Sequence, residues 1–322
     1  MPEQPRPPAE LFEQLGARRL LIVSGKGGVG RTTVAALLGM ALAARGRRVL
    51  IATTGHDDRL AWMLGGERLP DVPVEVAPGL SIQRLVPATC AEEYGALVTH
   101  SHRLSHAVFG NKVVRRLLRA IPGFDDFAVL GKVWHEAVRA RSHDVVVFDG
   151  PASGHLRLVL GVPRAIVETV AEGPLAREAA AISAALGDAA ISQAVLVGLP
   201  EIWPLTELAE LAEALRVEVG LSVGARVVNK LWPREFVSLE PPASELDEDG
   251  SLARMFAAVA RVGQRGDDQA QVVADWLGRH PSDGSDLLTV PWWPWGVDGL
   301  DRVAELLAAI EGGREPGSVA DG

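Results

Sequence analysis

Cysteine is almost absent from this 322-residue sequence, with Cys90 the single example. One thiol excludes an intramolecular disulfide and any zinc site assembled from paired thiolates of one chain, and it suits a reducing compartment. An excess of basic charge is missing too. The 32 lysines and arginines face 41 acidic residues, a formal net charge of −9, so the basic footprint of a nucleic-acid binder is not there. No run approaches the roughly 18 consecutive apolar residues that a membrane span needs. The opening segment MPEQPRPPAELFEQLGARR carries prolines and charges where a secretory leader has an apolar centre. The expectation is a cytoplasmic protein with no nucleic-acid partner and no integral membrane segment.

What the chain does have is 48% hydrophobic residues and 34 glycines, the composition of a packed, glycine-punctuated core. Short apolar runs recur between helical patterns: RLLIVS (19–24), RVLIAT (48–53), SIQRLV (81–86), DVVVFD (144–149), QAVLVG (193–198), ARVVN (225–229) and LLTV (287–290). Strands buried on both faces read as continuous Val/Ile/Leu runs, and their alternation with helices predicts an α/β, doubly wound, mostly parallel sheet. The stretch from about 89 to 141 breaks this rhythm. It is long and helical in pattern, interrupted by PGFDD, and predicts a helical subdomain joined by residues of about 162–190. The expected organisation is an extension over 1–18, one domain over 19–311 and a flexible Gly- and charge-rich tail over 312–322. Residues 233–250, with two prolines and clustered acids, read as an exposed loop.

The stretch SGKGGVGRTT carries the chemistry. Gly25, Gly30, Arg31 and Thr32 occupy the spacing G-x-x-x-x-G-K-[ST], directly after a strand and before the helical TTVAALLGMALAARG. Glycines let backbone N–H groups wrap phosphates, and the following helix aims its N-terminus at them. Gly25, Lys26, Gly27, Gly28, Val29, Gly30, Arg31, Thr32 and Thr33 are therefore the expected cradle for ATP or ADP. Thr32 would supply a hydroxyl for Mg²⁺, with Asp149 at the end of strand 144–149 as the acidic group. Lys26 sits too early for the usual lysine of such loops but is placed to reach a phosphate across a dimer interface.

With that lysine, SGKGGVGRTT resembles the deviant Walker A loop of the group containing MinD, ParA and ArsA. The narrower resemblance is to the ArsA-type ATPases, the arsenical-pump and tail-anchored-protein-targeting ATPases. IPGFDDFAVLGKVW (121–134) is similar to that family's P-G-x-D-E segment, and VVVFDGPASGHLRLVLGVP (145–163) to its switch II pattern D-T-A-P-T-G-H-T-L-R. GARVVNKL (224–231) looks like the strand whose asparagine reads adenine, here Asn229, and LLTVPWWPWGVDGLDRVAELLAAI like the last strand, loop and helix, with Pro291 beside the base. The resemblance implies a P-loop NTPase fold, an ATP·Mg²⁺-dependent dimeric switch and hydrolysis of ATP. The dimer would be a homodimer or a heterodimer with an ArsA-like paralogue, serving a client protein.

Three positions depart from the family pattern. Arg31 replaces the P-loop lysine, keeping the charge on a bulkier planar fork. After strand 48–53 the family has D-P-A where this chain reads TTGHDD; matching by strand end sets Thr54 at the catalytic aspartate, and a threonine is no carboxylate base. Asp57 and Asp58 follow closely, either as substitutes or as solvent-facing acids at the start of a helix. Gly150 stands where switch II has threonine, while Asp149, Gly154 and His155 remain. ATP binding with weakened hydrolysis is the expectation, and a hydrolytically inactive subunit or scaffold the alternative.

Other family traits are missing. A soft electrophile such as arsenite needs several soft ligands, and Cys90 is alone. There is no C-x-x-C, only four methionines, and a short connection between Pro163 and Gln193 in place of a Met-rich insertion. His100, His102 and His106 read as ordinary surface or capping residues in preference to metal ligands. Lys112, Arg115, Arg116 and Arg119 read as the solvated stripe of an amphipathic helix, or else a docking face for an acidic partner. PWWPWG (291–296) places three of eight tryptophans beside the expected nucleotide edge, against adenine, a dimer partner or the core.

Overall fold

All seven apolar runs form strands in a computed structural model of the protein, which describes residues 6–55, 57–99, 123–170, 172–234, 251–280 and 284–312. The strands are β1 (Leu20–Gly25), β2 (Val49–Thr53), β4 (Leu80–Arg84), β5 (Val145–Asp149), β6 (Ser192–Gly198), β7 (Val223–Leu231) and β8 (Asp286–Pro291). An eighth, β3 (Val74–Ala77), completes a sheet of order β3-β4-β2-β5-β1-β6-β7-β8. Every neighbouring pair is parallel except β3 with β4. The short β3 was not expected from the sequence, because Val74 faces solvent at the sheet's edge and only Val76 and Ala77 reach the core. It forms through pairing with β4 across a turn at Gly79, whose φ of +74° suits glycine.

The strands read as continuous apolar runs because both faces of the sheet are covered. Along β1, Leu20 and Ile22 enter one buried cluster and Leu21 and Val23 the other; β5 divides likewise, Val146 and Phe148 against Val145 and Val147. On the second side lie α1 (Pro8–Gly16), α2 (Arg31–Ala44), α3 (Arg59–Met63) and α10 (Leu300–Glu311), contributing Leu11, Val34, Leu60 and Val303. On the first side lie α4 (Pro87–Thr99), α5 (Phe124–Trp134), α6 (Ser153–Thr169), α7 (Pro174–Gly187), α8 (Ile202–Ala214) and α9 (Ser251–Arg279), with Phe127, Leu156, Ile182, Leu205 and Trp276 in the core. Pro163 does not end its helix: α6 runs through it to Thr169, and α7 occupies much of the remaining connection to Gln193.

α2 is apolar around most of its circumference because it lies beneath α1, α3 and α10 as well as the sheet. Arg45, just beyond it, donates to the Ala9 carbonyl of α1 at 3.4 Å and ion-pairs with Glu311 of α10 at 2.8 Å. The loop after β8 crosses to α3, where the Gly299 N–H meets the Trp62 carbonyl at 3.0 Å. Among the described residues no helix is long and apolar enough to cross a membrane. The expectations for His100, His102 and His106, for the basic stripe Lys112 to Arg119, for most of the loop 233–250 and for the tail beyond Gly312 lie outside the described residues.

Candidate functional site

The carboxyl ends of β1, β2 and β5 meet at one edge of the sheet, with Val23 and Thr53 both in register with Asp149. β1 has β5 on one side and β6 on the other. The chain therefore reverses direction across the sheet here, where open α/β sheets bind ligands. The loop from β1 to α2 is shaped by its glycines. A Cβ on Gly25 would come within 2.1 Å of the Val197 carbonyl of β6, and Gly30, at φ +95°, forms the left-handed entry to α2. The first intrahelical bond runs from Val34 N–H to the Gly30 carbonyl, leaving the N–H groups of Arg31, Thr32 and Thr33 without intrahelical acceptors. The first turn has no acidic residue and no side-chain cap, yet carries the cation of Arg31. A cation at a helix N-terminus is unfavourable by about 0.3–1 kcal/mol, a deficit that a bound anion reverses.

Beneath this N-terminus opens a cleft of about 180 Å³ lined by Arg31, Thr32, Thr53, Thr54, Gly55, Asp57, Leu60, Asp149, Gly150 and Pro151. At its floor Asp149 Oδ2 accepts hydrogen bonds from Thr32 Oγ1 at 2.9 Å and Thr53 Oγ1 at 3.3 Å. Burial pushes the Asp149 carboxyl above the usual carboxylate range; the Thr32 hydroxyl, the Arg31 charge and the Thr53 hydroxyl oppose the shift, and the Asp57 charge adds to it. These hard oxygen donors fit Mg²⁺, which takes one or two protein ligands and completes its shell with phosphate and water. A cation here would also relieve a buried carboxylate. Among the described residues no three His, Cys, Asp or Glu side chains gather into an all-protein metal cage.

Of the residues expected from the sequence, Arg31, Thr32, Thr54, Asp57, Asp149 and Gly150 line this one cleft. Arg31 Nη1 donates to the Gly150 carbonyl at 2.5 Å, and Ser24 Oγ to the Pro151 carbonyl at 2.8 Å, so the segment after β5 is pinned to the phosphate loop. Asp57 and Asp58 separate in role. Asp57 lines the cleft, whereas Asp58 accepts from Leu69 N–H and pairs with Arg84, which together hold its carboxyl below the usual range against burial. Lys26 extends over the protein's own surface to Glu207 of α8, Nζ to Oε1 2.7 Å. His155 Nε2 meets Asp126 Oδ1 at 3.1 Å, joining the start of α6 to that of α5. Asn229, expected at the base, is buried, with its amide engaged to the Val29 carbonyl and the Lys230 N–H. Pro291 ends β8, and Trp292 beyond it stacks on Trp232 with centroids 4.6 Å apart.

Sequence reasoning missed Thr53, a buried partner of Asp149, and Trp232. A hydroxyl at the carboxyl end of a buried strand was the available signal for the first. No local pattern announces the second, since the stack depends on β7 and β8 being neighbours.

A model of the anion-transporting ATPase family matches residues 18–173. The chain is 27% identical over 264 residues to the ATPase BagA of Mycobacterium tuberculosis, covering 76% of this chain and 75% of the relative. It is 24% identical over 261 residues to a putative arsenical pump-driving ATPase 1 of Aquifex aeolicus, with 69% and 65% covered. It is 31% identical over 164 residues to the ATPase GET3 of Pyricularia oryzae, with 48% and 46% covered.

Proposed function

The chain belongs to the anion-transporting, ArsA-type ATPase family as a divergent member, and from that premise we propose that it is a cytoplasmic, dimeric switch that binds ATP with Mg²⁺ and hydrolyses it slowly. The observation that carries this reading is the Thr32, Asp149 and Thr53 oxygen cluster beneath the open N-terminus of α2. Backbone N–H groups of residues 25–33 take the phosphates. Thr32 and Asp149 hold Mg²⁺, which when bound neutralises charge developing on the transferred phosphoryl group. Pro291 flanks the base.

Hydrolysis is slow for reasons that lie in the residues present. Arg31 spends a donor on the Gly150 carbonyl. Thr54 offers the cleft a hydroxyl but no base, leaving Asp57 as the carboxylate that can orient water. Rates fall tenfold for about each 1.4 kcal/mol of lost transition-state stabilisation, so two imperfect polar contacts cost several decades. Lys26 acts in the partner's site once it leaves Glu207.

The test is calorimetry of ATP and ADP with and without Mg²⁺, paired with phosphate release on the same preparation. Mg²⁺-dependent binding with slow release, lost in Lys26→Ala, is expected. Absence of binding by either nucleotide sinks the reading.

A second reading is favoured by the Lys26–Glu207 pair. The chain is then a hydrolytically inactive subunit or scaffold that lends Lys26 to an intact ArsA-like paralogue or answers to a client protein. Mixing it with a full-motif paralogue raises turnover under this reading and leaves it unchanged under the first.

A further inference from the structure

Ser24 interrupts the buried apolar run of β1. It lies two residues beyond Ile22 on a strand whose side chains alternate between faces, so it points to the side of the sheet where α6 packs, and it is fully buried. A hydroxyl in such a place is unfavourable unless it is hydrogen-bonded. Its Oγ donates to the Pro151 carbonyl at 2.8 Å, across 127 residues of sequence. Alanine would leave the packing of the strand almost unchanged, so the bond is what serine supplies.

Pro151 belongs to the short segment between β5 and α6. Each carbonyl from 150 to 152 has a donor: Arg31 Nη1 on Gly150 at 2.5 Å, Ser24 Oγ on Pro151, and the His155 and Leu156 N–H groups on Ala152, both at 2.9 Å. Proline has no N–H, so hydrogen bonding fastens residue 151 through its carbonyl alone. The sheet order β2-β5-β1 sets this segment between the loop after β2, with Thr54 and Asp57, and the loop after β1, with Arg31 and Thr32. Gly150 and Pro151 line the cleft with those four residues. Whatever fixes Pro151 therefore helps to set the spacing between the two sides of the cleft. We propose that Ser24 is a positioning residue for ATP hydrolysis, holding the Gly150–Pro151 wall in place against the phosphate loop. The proposal rests on the ATP-hydrolysing reading for its reaction and on the Ser24 to Pro151 bond for its geometry. The backbone N–H groups of the loop are untouched when the hydroxyl is lost, so binding is spared while the reacting groups shift, and a misplacement of about 1 Å costs up to roughly a hundredfold in rate.

The experiment uses the full chain with Ser24→Ala, which removes one buried oxygen, and Ser24→Cys, a near-isostere with a much weaker donor, in case the first does not fold. Amide hydrogen exchange of the peptide covering residues 149–156 is followed without nucleotide, ATP with Mg²⁺ is titrated by calorimetry, and phosphate release is measured at saturating ATP. The expected result is exchange about tenfold faster in that peptide alone. The kcat for phosphate release falls about tenfold or more, and ATP affinity stays within about twofold of wild type. Unchanged exchange in the segment, faster exchange throughout the chain, unchanged kcat, or kcat and affinity falling together overturns the proposal. Wild-type protein that releases no phosphate removes the hydrolysis reading instead, and the exchange arm still decides whether Ser24 holds the segment.

Discussion

The Thr32 hydroxyl donates to Asp149 Oδ2 at 2.9 Å, joining the first turn of α2 to the end of β5 across 117 residues of sequence. The bond brings together two oxygens suited to one cation, at the cost of burying a carboxylate.

Asp149→Asn should therefore separate stability from function. Burial raises the Asp149 carboxyl in the folded chain. The fold then has its relative advantage at pH values below the ordinary carboxylate range and loses it as pH rises through the raised value. An amide, still able to accept from Thr32 and Thr53, avoids that loss, so the ligand-free variant melts higher than wild type at neutral pH. Its Mg²⁺-dependent gain in ATP affinity should drop about tenfold or more. In wild type, Mg²⁺-dependent affinity should rise with pH through the same titration, because the cation displaces the proton. A variant that melts lower, or keeps its Mg²⁺ dependence, contradicts the assignment.

Arg31→Lys should increase phosphate release by about tenfold, the equivalent of one recovered polar contact. The shorter ammonium gives up the Gly150 carbonyl, to which Arg31 Nη1 is bound at 2.5 Å. Restoring a threonine at position 150 should not help in the same way. A Cβ there meets the Val23 carbonyl at 3.1 Å and Leu156 Cδ1 at 3.3 Å, and both belong to the packed core. Steady-state release by the two single variants distinguishes a charge placed wrongly from a hydroxyl missing.

Glu207→Gln should leave the melting temperature within about two degrees of wild type, since an ion pair this exposed contributes roughly 0–1 kcal/mol. What it should change is the availability of Lys26. If Lys26 acts in a partner's site, nucleotide-dependent dimerisation measured by sedimentation strengthens in Glu207→Gln and weakens in Lys26→Ala. Equal dimerisation in all three proteins argues that the pair is ornamental.

The expected sheet came through almost strand for strand because each of its seven runs is buried on both faces, and apolar continuity is a local signal. β3 escaped because it is short, with Val74 and Glu75 facing solvent, and gains its order from pairing with β4. The shape of the loop from β1 to α2 was legible because strand, glycine turn and helix follow one another in sequence, and Asp57 and Asp149, read at the ends of two other strands, line the same cleft as Arg31 and Thr32. The Trp232–Trp292 stack and the Asn229–Val29 hydrogen bond were not legible, and of Thr53 only its place at the end of a buried strand was. Each depends on which strands become neighbours in the sheet, and sequence order does not give that. Asn229 shows this most clearly, since no local pattern sets its amide against the Val29 carbonyl 200 residues away.

Phe127→Ala should cost about 3–5 kcal/mol, because the ring is fully buried where α5 meets the sheet. Against a total stability of roughly 5–15 kcal/mol that is enough to shift a urea midpoint severely. Arg164→Ala, which removes an exposed pair with Glu168 one helical turn away, should stay within about 0.5 kcal/mol. Comparable losses in the two would mean that α5 is not part of the core.

Cys90 should resist alkylation. Burial pushes its thiol up to about 12, with Glu93 adding to the shift, so almost no thiolate exists at pH 8. Native protein treated with iodoacetamide should stay unmodified by mass, and urea-unfolded protein should take up one adduct.

Arg45 touches α1 and α10 at once, through Ala9 and Glu311. The first and last described helices are therefore next-door neighbours, held by one side chain at the end of α2 far from the Gly30 entry, so loosening that contact is felt by both helices and not by the sheet edge where the cleft lies.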